Sequence, residues 1–233
     1  MTIAIMQPYI FPYVGYFQLI MAVDKFIFYD DVDFIKRGWI NRNRILLGEN
    51  EYLFTIPCVK PTYQKKICNI KVNRDCNDTE KLLKTLYHAY SKAPFFKDVY
   101  PLLEEQFTNC SQSISALAVQ SIKMVIDYLG IEKNFKLSSE QHYCNNHLNK
   151  ADRLIEITKK EGEVVYINPK GGEALYDKPY FDAQGVELRF LQSVLPEYSQ
   201  SSPHFVAGLS IIDVLMNCDK EQVFNMLDNY QLR

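Results

Sequence analysis

The chain has 233 residues, 47% of them hydrophobic, with 26 basic and 28 acidic side chains and a formal net charge of -2. That content suffices for a substantial core, and the slightly acidic balance excludes a general binder of nucleic acid or of membrane surfaces, which needs a basic excess for phosphates. No amino-terminal signal pattern and no apolar run of about 18 residues occurs, so a cytoplasmic protein acting on small molecules is expected.

In chain order, residues 2–6 predict a strand, 7–14 a loop, 15–23 a helix and 25–29 a second strand, a βαβ unit with a right-handed crossover. The loop is dense in Pro and aromatic residues (Tyr9, Phe11, Tyr13, with Tyr16 just after) where an ordinary connection would use Gly, Asn, Asp and Ser. Proline fixes φ and lowers the entropy lost on ordering, so such a loop is stiff enough to hold rings and hydroxyls in place. Residues 34–73 predict an antiparallel excursion, with β-prone runs at 52–56 and 66–72 broken by Gly48, Pro57 and Pro61. Asp78 or Thr79 is placed to cap a helix running to Ala89, and Pro94 and Pro101 to punctuate two further helical pieces. Residues 113–129 carry the clearest amphipathic helix, closed by Gly130. The last third alternates again: a strand at 135–138, a helix at 149–161, a strand at 164–167, a turn or short helix at 173–183, a strand at 186–191 and helices at 211–216 and 220–227. This order predicts an α/β fold with a mostly parallel, doubly wound sheet, one domain over 1–233 with an inserted β/α subdomain at about 34–110.

Three segments carry candidate chemistry. At the end of the first strand, Gln7, Tyr9, Tyr13, Gly15 and Tyr16 are expected to orient a substrate, and Asp30 and Asp31, at the end of the second strand, to reach the same sheet edge. Lys36, Arg37, Trp39, Asn41 and Arg42 place guanidinium forks and the one indole of the chain shortly afterwards, a composition suited to an anionic, nucleotide-like ligand. Asn168, Lys170, Gly171 and Gly172 form a turn that permits close backbone approach and presents one cation. Six cysteines (Cys58, Cys68, Cys76, Cys110, Cys144, Cys218) include no CxxC and share no ligand spacing with the four histidines, so reduced structural thiols and no metal site are expected. Asp213, inside an apolar helix, must be paired locally or serve a site.

The blocks MQPYIFPYVGYFQLI, FYDDV, RNRI, KAPFF, YINPKGGEALYDKPYF and LSIIDVLMN together resemble the WbqC-like family across essentially the full length. That family occurs among bacterial polysaccharide and O-antigen biosynthesis genes, and the resemblance implies transfer of an acyl or aminoacyl group to the amino group of a nucleotide-linked sugar. Tyr13 and Tyr16 would then act with Asp30 or Asp31, the carboxylate orienting or deprotonating the attacking amine. Lys36, Arg37 and Arg42 would balance the diphosphate, and Lys170 with the Gly171 and Gly172 amides a second anionic group. The segment Tyr13-Val14-Gly15-Tyr16 is similar to the HxGH element of nucleotidylyltransferases with both histidines replaced. Two other readings stay open: an ATP- and Mg²⁺-dependent adenylate-forming ligase, and a non-catalytic protein that holds a glycan precursor. No cofactor and no oligomeric state follows from the sequence.

Overall fold

The first strand, β1 (Thr2–Met6), alternates its side chains between two apolar layers: Ile3 and Ile5 enter one core and Ala4 the other. In the computed structural model, which describes residues 1–73, 75–108 and 112–233, β1 is the inner strand of a six-stranded sheet. It pairs in parallel with β2 (Lys25–Phe28) and with a later strand over Val165–Pro169, so the chain crosses back over the sheet after its first excursion. Cys110, expected to be a reduced structural thiol, lies outside the described residues.

The helix α1 (Val14–Met21) connects β1 to β2 and buries Phe17, Leu19 and Ile20, each contributing about 1.5–3 kcal/mol through its lost apolar surface. Between β2 and the next strand of the sheet the chain forms an antiparallel hairpin, β3 (Arg42–Leu47) with β4 (Asn50–Thr55), and then the helices α2 (Cys76–Tyr90), α3 (Phe96–Thr108) and α4 (Ile114–Leu129). Ser113 caps α4 and Gly130 ends it at φ 72°, the left-handed conformation in which a Cβ is unfavourable. The sheet resumes with β5 (Asn134–Leu137), then α5 (Lys150–Lys160), β6 (Val165–Pro169), α6 (Lys178–Ala183) and β7 (Glu187–Ser193). Helices α7 (Ile211–Asn217) and α8 (Lys220–Leu227) precede β8 (Tyr230–Leu232).

Strand order is β5-β2-β1-β6-β7-β8, parallel throughout except for β8, which runs antiparallel on β7. The fold is thus α/β with a mostly parallel central sheet. Helices α5 and α6 cover the face holding Ile3, Ile5, Ile27 and Tyr166, while α1, α4, α7 and α8 pack on the core holding Ala4, Phe26, Phe28 and Ile167. From β1 the order builds outward through β2 to β5 and then restarts on the other side at β6. Such a reversal opens a crevice at the carboxyl ends of the two strands where it occurs.

Three local expectations are corrected and one element is added. Residues 66–72 form a 3-10 turn at Ile67–Asn69 flanked by isolated bridges, not a strand, because they meet Asp33, Cys58 and Ser113 in single pairings. Pro101 sits inside α3 and does not divide it; its missing N–H costs one bond near the start of the helix, and the buried stripe Val99, Leu103, Phe107 holds the rest. Asp75, not Asp78 or Thr79, caps α2 by accepting from the Asn77 N–H at 2.9 Å. The edge strand β8 has no counterpart in the sequence reading.

Candidate functional site

A cavity of about 640 Å³ occupies the crevice at the carboxyl ends of β1 and β6. Gln7, Pro8 and Tyr9 form one wall, the amino end of α1 with Tyr13, Gly15 and Tyr16 the floor, Ile35, Trp39 and Arg44 the outer lip, and Pro169 the far side. Most of that surface is aromatic or aliphatic, with a few polar groups converging on it, the usual character of a small-molecule site.

The wall is rigid for reasons visible atom by atom. Phe11 takes a positive φ of 42°, a conformation that costs a non-glycine residue roughly 1–3 kcal/mol and persists only where its surroundings impose it. Here the Ser121 hydroxyl accepts from the Phe11 N–H at 3.0 Å, while the Phe11 carbonyl accepts from Asn43 Nδ2 at 2.5 Å and from the Ser210 hydroxyl at 2.8 Å. Asn43 Nδ2 also donates to the Ile10 carbonyl, and the Ile10 N–H to the Ile40 carbonyl. A helix, the hairpin and the start of α7 therefore all grip one loop.

On the floor, Tyr9 and Tyr16 meet edge to face with ring centroids 5.3 Å apart, and the Tyr16 hydroxyl donates to the Gln7 carbonyl at 3.1 Å. Burial pushes both phenols well above their ordinary range, so they stay neutral and act only as hydrogen-bond groups. The Tyr13 ring lies directly across Gly15: a Cβ there would stand 2.5 Å from the ring and its hydroxyl. No side chain caps α1 and its first turn holds no acidic residue; the Tyr16 N–H turns back to the Tyr13 carbonyl at 3.0 Å, and Gly15 and Tyr16 of that turn line the cavity at the positive end of the helix dipole. At the lip, the Arg44 and Arg42 guanidiniums sit 5.4 and 5.9 Å from the Trp39 ring centre, and Arg44 also pairs with Glu51 at 2.6 Å.

Of the residues singled out in the sequence, Gln7, Tyr9, Tyr13, Gly15, Tyr16 and Trp39 line this cavity. Asn41 and Arg42 stand just behind the lip, held by bonds to the Ile56 and Gly38 carbonyls at 2.8 Å. Lys36 and Arg37 are exposed next to Ile35, and Lys170 and Gly171 are exposed beyond Pro169. Asn168 and Gly172 are braced against one another, since a Cβ on Gly172 would fall 1.8 Å from the Asn168 amide nitrogen, whose partner oxygen accepts from the Tyr166 hydroxyl.

Asp30 and Asp31 do not line the cavity. Asp30 is buried and accepts from the Ser115 hydroxyl at 2.8 Å, the Ser139 N–H and hydroxyl at 3.0 Å each and the Ser138 hydroxyl at 3.3 Å. Asp31 accepts from Ser138 Oγ at 2.5 Å and forms an ion pair with the buried Arg153, whose guanidinium lies 4.8 Å over the Tyr29 ring and donates to Asn145. Burial, offset in part by Arg153, pushes the Tyr29 phenol up to about 12. Asp213 is paired locally: the Tyr90 and Tyr198 hydroxyls each donate to it at 2.7 Å.

The sequence profile of the WbqC-like protein family matches residues 7–224, nearly the whole chain and every residue lining the cavity from Gln7 onward. The chain belongs to this family. The WbqC-like protein is also 30% identical, over 94% of its own length and 94% of the relative's, to a Mycobacterium tuberculosis protein described as uncharacterized, Rv1507c. No solved structure matches it.

Asn43 and Arg44 belong to the cation- and asparagine-rich run 36–44 that the sequence marks as a candidate, but nothing local shows that Asn43 ties the loop or that Arg44 lines the cavity. Sequence reasoning missed Ser210 and Arg153. Ser210 and Arg153 are distant in sequence from the segments they hold, and no local pattern points to them. Among the described residues no group of three or more His, Cys, Asp or Glu is arranged to hold a metal ion. No helix is long and apolar enough to cross a membrane among those residues.

Proposed function

We propose that this WbqC-like protein binds a nucleotide-linked amino sugar in the switch-point cavity and transfers an acyl or aminoacyl group to its amine, in the building of bacterial surface polysaccharide. The observation that carries the reading is the uncapped amino end of α1 opening into an aromatic cavity beside Arg44. Helix amides and a guanidinium together make a diphosphate site. Trp39, with cations behind it, is suited to stack on a base, and Gln7, Tyr9, Tyr13 and Tyr16 supply the hydroxyls and the amide that orient a sugar. Lys36, Arg37 and Arg42 reinforce the positive rim, and Lys170 with Gly171 extends it past β6.

Among the described residues, no Asp, Glu or His lines the cavity. Acceleration is therefore assigned to positioning and to stabilisation of the developing oxyanion, with the amine entering in its neutral form. In this reading Asp30 and Asp31 hold the sheet edge that shapes the site. The same lack of a base in the cavity wall favours a second reading, a protein that holds a glycan precursor without turning it over.

Trp39 is the one tryptophan of the chain, so its fluorescence reports occupancy directly. Amino-sugar nucleotides are screened by quenching, and those that bind are incubated with acyl donors and amino acids, with and without ATP, and analysed by mass spectrometry. A product heavier by the acyl group, with water lost, supports the transferase. Binding without product selects the holder, and release of pyrophosphate from ATP selects an adenylate-forming ligase. Trp39→Ala lacks the fluorophore, so its affinity is read by isothermal titration calorimetry alongside the unmodified protein; binding is expected to weaken by about 1–3 kcal/mol, the worth of one base–aromatic stack. An unchanged affinity removes Trp39 from the site.

A further inference from the structure

The rim outside the cavity carries more positive charge than a diphosphate uses. Residues 36–71 hold eight lysines and arginines against two glutamates, whereas the remainder of the chain holds 18 basic and 26 acidic residues. The excess is not neutralised internally: Arg44 pairs with Glu51 and Lys66 with Asp33, but Lys36, Arg37, Lys60, Lys65 and Lys71 have no ion pair among the described residues. The fold gathers these cations. The Phe34 N–H donates to the Lys65 carbonyl at 2.9 Å, which sets the 62–66 turn beside the cavity lip at Ile35, and the Val59 N–H donates to the Lys71 carbonyl at 2.8 Å. Large apolar side chains stand exposed between them, Ile35 at 53%, Val59 at 45% and Tyr63 at 69%. Unpaired like charges around exposed apolar groups cost stability in the free protein, and both costs vanish against an acidic, partly apolar surface.

We propose that this face docks an acidic carrier protein, which presents the acyl group as a thioester on a flexible arm that enters the cavity past Ile35 and Trp39. The inference rests on the transferase reading above. The amine nitrogen attacks the thioester carbonyl carbon, the C–N bond forms, the C–S bond breaks, and the carrier leaves as the thiol with the proton that the amine gives up. A nucleic acid would satisfy the lysines but leave Ile35 and Val59 facing phosphates. An acidic amphipathic helix meets both with carboxylates and apolar side chains on one face.

The test uses the full chain, a holo bacterial acyl carrier protein as probe, total tRNA as a second probe, and the variant Lys60→Glu/Lys65→Glu/Lys71→Glu, whose three sites are exposed and stand outside the cavity. The carrier is expected to bind at about 50 mM salt and to weaken as screening increases. Reversing three rim charges is expected to weaken it further by at least about tenfold. Trp39 quenching by the sugar nucleotide stays unchanged in the variant. Absence of carrier binding, equal affinity for the variant, or tighter binding of tRNA to the same face each overturns the proposal. Loss of sugar-nucleotide quenching in the unmodified protein would instead strike the transferase reading, which the carrier titration does not measure.

Discussion

Asp30 is the sharpest point at which structure and chemistry can be told apart. Its carboxylate joins the end of β2 to α4 through Ser115 and to the turn after β5 through Ser138 and Ser139, while its carbonyl accepts from the Cys68 N–H at 2.9 Å. Hydrogen bonds to a charged acceptor contribute about 1.5–3 kcal/mol each. Removing the acceptor with Asp30→Ala leaves the Ser139 N–H without a partner. The serine hydroxyls recover part of the loss by rotating, so the net destabilisation is about 3–5 kcal/mol, the range for breaking a buried charged network. Asp30→Asn keeps the volume and one oxygen for the Ser139 N–H, and its cost is about 1–2 kcal/mol.

Urea unfolding at neutral pH measures both. With a slope of about 2 kcal/mol per molar, the midpoint falls by roughly 1.5–2.5 M in the alanine variant and roughly 0.5–1 M in the asparagine variant. Under the proposed transferase reading, the asparagine variant below its transition is expected to bind sugar nucleotide and form product to the same extent as the unmodified protein. If Asp30→Asn unfolds at the original midpoint and still binds sugar nucleotide, yet forms no product, the carboxylate is a chemical group and the structural account of Asp30 is refuted.

Two glycines separate site from scaffold. Gly15→Ala drives a methyl into the Tyr13 ring, a side-chain end that swings aside, so ligand binding weakens while the melting temperature moves little; Gly172→Ala drives it into the buried Asn168 and costs about 1–3 kcal/mol of stability. Comparing fluorescence titrations with thermal melts checks the pair. Gln18 Nε2 lies 2.8–2.9 Å from the carbonyls of Val194, Met226 and Asn229. Gln18→Leu strands those acceptors at about 2–4 kcal/mol, which limited proteolysis should show as early cleavage near β8. Burial holds the Asp213 carboxyl above its ordinary range, although the Tyr90 and Tyr198 hydroxyls pull it back. Its stabilising contribution is therefore present below the ordinary aspartate range and lost as pH rises through the raised native value. Unfolding free energies compared with Asp213→Asn should show the unmodified protein losing ground over that window, and a constant difference contradicts the assignment.

Periodicity and punctuation made most of the sheet and helices legible. The alternation in β1, the stripe of α4 between Ser113 and Gly130, and the Pro-aromatic loop after β1 all depend on residues near one another in the chain. What failed depends on distant partners. The 66–72 segment has strand-like composition, but its backbone meets three separate neighbours and never acquires a continuous ladder. Asp30 and Asp31 stand just past the end of β2, as the sequence predicts, but the serines and Arg153 that occupy them come from α4, the turn after β5 and α5. A carboxylate at a strand end is indistinguishable in sequence from a base, because the difference lies in whether other segments have already satisfied its oxygens.

The tyrosines at the amino end of α1 bear on mechanism in the same way. In the HxGH arrangement that Tyr13-Val14-Gly15-Tyr16 resembles, imidazoles gain a proton and bring positive charge to a phosphate. Tyr16 is neutral, buried, and has given its proton donor to the Gln7 carbonyl. Tyr13 caps nothing and leans over Gly15. Positive potential at this site therefore comes from fixed sources, the α1 amides and the Arg44 guanidinium, whose charge Glu51 shares, and not from a titrating group. Fixed donors hold an anion equally well before and after reaction, which suits a subsite for the unreacting diphosphate of a sugar nucleotide better than one at which a phosphate bond breaks.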